Sequence, residues 1–218
     1  MEFRAKLVTW EEIEDWCKSL SDKIISGQIP DAIIGMSRGG LVPARIISDK
    51  LMRKELYAVK TEHWGLTASK DGTAQLKQGL SSDIRGMNVL IVDDITDTGQ
   101  SMKVALDYVK SQSPRSVKTA AMLHISHSEF VPDYFAREIS DSQWTWFIFP
   151  WNVFEDIMNL TGKILKEPMT IAQIKDKLRQ SFELEIDEPR LKTILEYMER
   201  LKKLKFHEDG KYSPLEAS

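Results

Sequence analysis

An α/β fold is predicted for this chain, with a parallel sheet flanked by helices over residues 1–166 and a small α+β module over 167–218. Three observations carry the prediction. The order strand, glycine-bearing loop, helix occurs twice, over 31–52 and again over 88–111. The apolar runs between the polar loops are short and rich in β-branched residues, as in strands buried on both faces. After Lys166-Glu167-Pro168 the pattern changes to two amphipathic helices and a hairpin.

Taken in order, Thr9 followed by Glu12 forms a capping-box pattern that opens a helix with Ile13, Trp16, Leu20 and Ile24 on one face. Pro30 closes the connection, and DAIIGMSRGG (31–40) reads as a buried strand running into a loop, then a helix over 41–52. A strand at 56–60 precedes a polar segment, 61–86, with few regularly spaced apolar residues. A structureless loop that long in a compact domain is disordered or functional, and Thr67, Ser69, Lys70, Thr73 and Lys77 are its candidate ligand contacts. Val89 to Val92 form a strand, the helix over 99–111 ends before Pro114, a strand follows at 117–123, and the aromatic stretch WTWFIFPW (144–151) reads as a further strand.

At 218 residues the chain can bury one full core and a small appendage. A net charge of −3 gives no global attraction to nucleic acid or to an anionic membrane. The single cysteine, Cys17, cannot form an internal disulfide and reads as a core thiol in a reducing compartment. With no apolar signal core at the amino terminus and no run of eighteen apolar residues, the cytoplasm is expected and a membrane is not.

The chemistry concentrates in NVLIVDDITDTGQSM (88–102). Four apolar β-formers run into Asp93 and Asp94, then into Thr96-Asp97-Thr98-Gly99-Gln100-Ser101 at the start of a helix. Where a strand's carboxyl end meets a helix's amino end, free N–H groups and the helix dipole converge on an anion. Hydroxyls and a glycine in that loop suit a phosphate cradle. The pattern G-x-x-x-x-G-K-[ST] is absent, and two adjacent carboxylates would repel a triphosphate. A ligand with hydroxyls and a divalent cation beside its phosphate fits instead, with Asp93 and Asp94 accepting from a ribose and the loop holding a 5′-phosphate.

LIVDDITDTGQSM resembles the phosphoribosyl-pyrophosphate (PRPP) signature of the type I phosphoribosyltransferases, and its DTG core, Asp97-Thr98-Gly99, is close to that of the purine-salvage members. The resemblance covers residues 2–165 and implies the type I phosphoribosyltransferase fold. It implies a glycosyltransferase that displaces pyrophosphate from PRPP with a purine base to give a nucleoside monophosphate. Mg²⁺ is implied as cofactor, held by Asp93 and Asp94 mostly through PRPP and water. Thr96 to Ser101 would hold the 5′-phosphate, and Asp97 would act as general acid or base on the N7 side of the purine. SRGGLVPA resembles the family's pyrophosphate loop, so Ser37, Arg38 and Gly39 would face the diphosphate and the Ser37–Arg38 peptide is expected to be cis. The segment 61–86 takes the place of a lid that excludes water.

TWFIFPW resembles the base-binding stretch of microbial purine-salvage enzymes, with Trp146 stacking on the purine and the backbone of Phe147 reading its edge. The acid that usually follows Pro-Trp is replaced by Asn152, with Glu155 and Asp156 further on. Enzymes for 6-oxopurines place a lysine after the preceding strand, where it donates to O6; residues 122–129 contain none. His124 and Ser126 can accept from an amino group, so adenine is the expected base and AMP the product, with a 6-oxopurine as the alternative.

The last fifty residues place a helix after Thr170, a second after Asp187 with Pro189 in its first turn, and a turn at Glu208-Asp209-Gly210 between two short strands. This order resembles a winged helix. Its basic and acidic residues balance, with KKLK (202–205) the one basic cluster, so docking or assembly into a homodimer or larger oligomer is expected in place of nucleic-acid binding. Some transcription regulators join a phosphoribosyltransferase fold to a winged helix and sense PRPP without turning it over. Such a sensor can dispense with Arg38 and Asp97; both are present, and an enzyme is expected.

Overall fold

The computed structural model describes residues 3–63 and 74–215. The chain opens with a short strand, β1 (Ala5–Leu7), and a helix, α1 (Trp10–Ser26). Next come β2 (Ala32–Ser37), α2 (Leu41–Lys50), β3 (Leu56–His63) and β4 (Ala74–Gln78). The central run is β5 (Asn88–Thr96), α3 (Gln100–Ser111), β6 (Ser116–Ile125) and β7 (Tyr134–Ile139). The remainder is β8 (Trp146–Ile148), α4 (Val153–Ile164), β9 (Met169–Thr170), α5 (Ile171–Phe182), α6 (Glu188–Arg200), β10 (Leu204–Phe206) and β11 (Lys211–Pro214). No helix among the described residues is long and apolar enough to cross a membrane.

Packing divides the chain into two compact units. The first, Glu11–Trp144, holds a six-stranded sheet in the order β4-β3-β2-β5-β6-β7, parallel except for β4. Its inner strands are apolar on both sides because helices cover both faces. Met102, Ala105 and Val109 of α3 pack with Ile34, Met36, Val89 and Ile91. Cys17 on α1 is fully buried, 3.8 Å from the Met122 sulfur, and burial pushes its thiol up to about 12, as fits a core residue. From β2 the chain moves outward to β3, and β5 returns to the other side of β2. This is the topological switch point at which open α/β sheets bind ligands, beyond the carboxyl ends of the strands.

Four features of the sheet differ from the sequence expectations. The strand expected at 56–60 runs on to His63, and 74–78, expected inside a loop, pairs with it as the antiparallel edge strand β4. Lys77 lies exposed on β4, whereas Thr67, Ser69, Lys70 and Thr73 lie outside the described residues. The strand beginning at Val89 extends through both carboxylates to Thr96, and β7 forms in a stretch read as connection.

The second unit joins Met1–Trp10 to Thr145–Ser218. Only Trp146–Ile148 of the aromatic stretch is strand, and it pairs in parallel with β1. The order α4, β9, α5, α6, β10, β11, with the antiparallel sheet β10-β11-β9, is that of a winged helix. Thr170 and Gln173 form a reciprocal capping box at the start of α5, and Asp187 accepts from the Arg190 N–H at the start of α6. Ile157, Leu160 and Ile164 of α4 share one core with Ile174, Leu178, Leu191 and Leu195 of α5 and α6. The family resemblance ends near 166, but in packing α4 is the first helix of the C-terminal unit.

Candidate active site

Register places the carboxyl ends of β2 and β5 side by side, Gly35 opposite Val92. The loop Ser37–Gly40 therefore meets Asp93 and Asp94 directly. The Ser37–Arg38 peptide is cis. A side chain at Gly39 would overlap the Asp94 carboxylate, so this position requires the backbone to approach the acid without a Cβ. Arg38 is exposed beside it. The predicted pyrophosphate loop and the predicted ribose acids are thus brought together.

The two acids are not equivalent. Asp93 Oδ1 accepts from the Asp94 N–H at 2.9 Å, and Asp94 Oδ1 accepts from the Ile95 N–H at 2.9 Å. Burial, reinforced by the neighbouring Asp94 carboxylate, pushes the Asp93 carboxyl well above the usual carboxylate range. Ligand hydroxyls or a divalent cation would relieve that repulsion. Hard oxygen donors suit Mg²⁺, and among the described residues no group of three or more His, Cys, Asp or Glu forms a cage for a metal ion. A cation here would therefore take its remaining ligands from substrate oxygens and water.

Beyond β5 the backbone turns through Asp97 and Thr98 to Gly99, which stands at the amino end of α3 with φ +81°. A side chain at Gly99 would overlap the Phe130 Cβ, and the left-handed conformation suits glycine. Thr98 Oγ1 accepts from the Gln100 N–H at 3.4 Å; Thr98, Gln100 and Asp97 are exposed and Ser101 is half-buried. Thr96 departs from its expected place in the cradle. It is the last residue of the strand, 2 % exposed, with its hydroxyl 3.1 Å from His124 Nδ1.

His124, expected beside the base, is likewise enclosed at 3 % exposure, its ring 5.1 Å from that of Phe135. Burial pushes its pKa below the ordinary imidazole value. Ser126 is exposed and donates to Asp141 Oδ1 at 3.3 Å. The ring that does reach the cradle is His127, which sequence reasoning did not place there. Its Nε2 lies 2.9 Å from Asp97 Oδ1 and its Nδ1 2.8 Å from Asp141 Oδ1. The hydrogen bond to Asp141 and then that to Asp97 raise its pKa above the ordinary imidazole value despite the opposing effect of burial. Its signal in the sequence was faint, a histidine three residues beyond the enclosed one.

Trp146 and Phe147 belong to the other unit. Trp146 is half-buried against the core that α4, α5 and α6 share, its ring 6.1 Å from that of Phe3, and Phe147 stands opposite Lys6 in the β1–β8 pair. Asn152 Nδ2 lies 3.5 Å from Asp156 Oδ2, and Asp156 is 5 % exposed.

Residues 5–156 match the model of the phosphoribosyl transferase domain. A xanthine-guanine phosphoribosyltransferase of Idiomarina loihiensis is 30% identical over 150 residues, which are 69% of this chain and 88% of that protein. A purine phosphoribosyltransferase of Pyrococcus horikoshii superposes with a TM-score of 0.59 at 27% identity, covering 69% of this chain and 94% of that one. A hypothetical protein of Neisseria gonorrhoeae with bound ppGpp gives a TM-score of 0.59 at 25% identity, over 68% and 90% of the two chains.

Proposed function

The chain belongs to the phosphoribosyl transferase family, and from that premise we propose that it transfers the 5-phosphoribosyl group of PRPP to a 6-oxopurine, forming a nucleoside monophosphate and pyrophosphate. The observation that carries the reading is the junction at the switch point, where Gly39 of one loop abuts Asp94 of the other and the cradle Asp97–Ser101 begins three residues further along. One ligand carrying a diphosphate, two ribose hydroxyls and a 5′-phosphate matches these three features in order.

In this reading Arg38 and the backbone of 38–40 hold the diphosphate, and Asp93 and Asp94 accept from the ribose hydroxyls. Thr98 to Ser101 hold the 5′-phosphate at the amino end of α3. Mg²⁺, when bound, neutralises charge on the departing pyrophosphate. The protein's contribution is alignment and electrostatic support of a cationic ribosyl centre by the two carboxylates, with Asp97 exchanging a proton with the base.

Adenine gives way to a 6-oxopurine as the base. The adenine expectation rested on the missing lysine and on acceptors at His124 and Ser126. Enclosure of His124 removes one of those acceptors, and the Idiomarina loihiensis relative, which matches 69% of this chain, is named for xanthine and guanine. The test is kcat/KM with PRPP and Mg²⁺ for guanine, xanthine, hypoxanthine and adenine. A site built for one polarity rejects the other by about 10²-fold or more, because a mismatched base leaves a buried group unpaired. Preference for an oxo base is expected, and a ratio favouring adenine would reverse the assignment.

A second reading draws on the winged-helix order of the C-terminal unit: a regulator that binds PRPP without turning it over. PRPP binding with no transfer to any of the four bases, together with sequence-specific DNA binding, would favour it.

A further inference from the structure

We propose that His127 is the positioning residue for Asp97: anchored to Asp141 through Nδ1, it donates from Nε2 to Asp97 Oδ1 and leaves the other carboxylate oxygen of Asp97 to meet the purine. The inference rests on the phosphoribosyl-transfer reading. Its structural basis is a chain of three side chains from three connections: Asp97 from the turn between β5 and α3, His127 from the loop after β6, and Asp141 from the turn after β7.

Ionised carboxylates only accept hydrogen bonds, so both short contacts exist together only when both ring nitrogens carry hydrogen, that is, when His127 is the imidazolium. The groups facing the ring agree with that state. Asp97 and Asp141 supply negative charge from either side. Among the described residues His124 also interacts with the ring, and its pKa is lowered by burial, so it adds little opposing charge. Ser126 donates to the same Asp141 oxygen that His127 uses and holds the anchor in place.

The role follows from the reaction. As a purine ring nitrogen bonds to C1′ and pyrophosphate departs with the electron pair of the C1′–O bond, the base loses a ring N–H proton. Asp97 accepts it. An exposed carboxylate on a turn otherwise samples several rotamers, and the bond from His127 selects one. When His127 loses its charge it can donate to only one of the two acids, and the aim of Asp97 is lost.

The test combines kinetics with direct titration of His127 by NMR. The wild type should show an alkaline limb in kcat at the pH where His127 titrates, above its ordinary value of about 6.5. In His127→Gln, kcat should fall by about 10-fold or more while PRPP affinity is kept and the limb disappears. Restoring a cation with His127→Lys should recover part of kcat and carry the limb to higher pH. Asp141→Asn should lower the His127 pKa and move the limb down with it. Wild-type kcat with the limb intact in His127→Gln overturns the proposal, as does a limb that stays in place in Asp141→Asn. If the wild type transfers to no purine, the functional reading fails, and the NMR titration judges the bridge alone: a His127 pKa unchanged by both Asp97→Asn and Asp141→Asn refutes it.

Discussion

At the residue scale, the acid pair near the end of β5 illustrates a site whose proposed function opposes stability. Asp93 is raised by burial and by Asp94, so the folded chain holds a proton there more readily than the unfolded chain does. Stability is therefore favoured at low pH and falls as pH rises from the unfolded value of about 3.8 through the raised folded value. Asp93→Asn should leave the free protein at least as stable as the wild type near neutral pH. It should also lose about 1.5–3 kcal/mol of PRPP binding, as for a hydrogen bond to a charged group. Calorimetric Tm and PRPP titration check the two halves, and a destabilised variant that binds PRPP normally contradicts both. The two acids were legible because they stand in sequence before a hydroxyl-rich loop. Thr96 and His124 were not, because the strands run further than their apolar cores suggest: Thr96 pairs with His124 at the end of the β5–β6 ladder, and alternation turns both side chains inward. His127 reaches across thirty residues to Asp97, a distance that no local pattern encodes.

At the scale of elements, the proposed phosphate cradle depends on a loop outside it. Gly99 is wedged beside Ser128 and Phe130, so the amino end of α3 rests on the β6–β7 connection. Gly99→Ala combines a left-handed φ with overpacking, which costs about 1–3 kcal/mol. A lowered Tm and weakened PRPP affinity are expected together, since the same movement disturbs both. An alanine variant with unchanged Tm would mean that this contact is slack. Long elements with strong periodicity, α1, α3, α5, α6 and the apolar start of β5, were legible for the physical reason that they bury a full stripe or both faces. Strands β1, β4 and β7 were not. The first has three residues, and the other two are sheet edges, where solvent on one side dilutes the apolar signal that marks an inner strand.

At the scale of the whole molecule, the family resemblance and the packing divide the chain at different places. Nothing in the sequence near 145 announces a boundary, because β8 and α4 carry family-like residues while their apolar faces serve the C-terminal core. A truncation after Lys166 removes the partners of Ile157, Leu160 and Ile164, each contributing about 1.5–3 kcal/mol when buried. That loss is a large part of the roughly 5–15 kcal/mol that stabilises a domain. The truncated chain should melt at a clearly lower temperature or aggregate, as light scattering and thermal melts would report; an unchanged melt would show that the winged unit lends α4 no support. The pairing of β1 with β8 has one more consequence, which concerns synthesis. Ala5 leaves the ribosome well before its partner Trp146, which is still untranslated until the entire six-stranded sheet has been made. The nascent chain must keep β1 unpaired throughout that interval, so the unit that comes first in the sequence is the last to be closed.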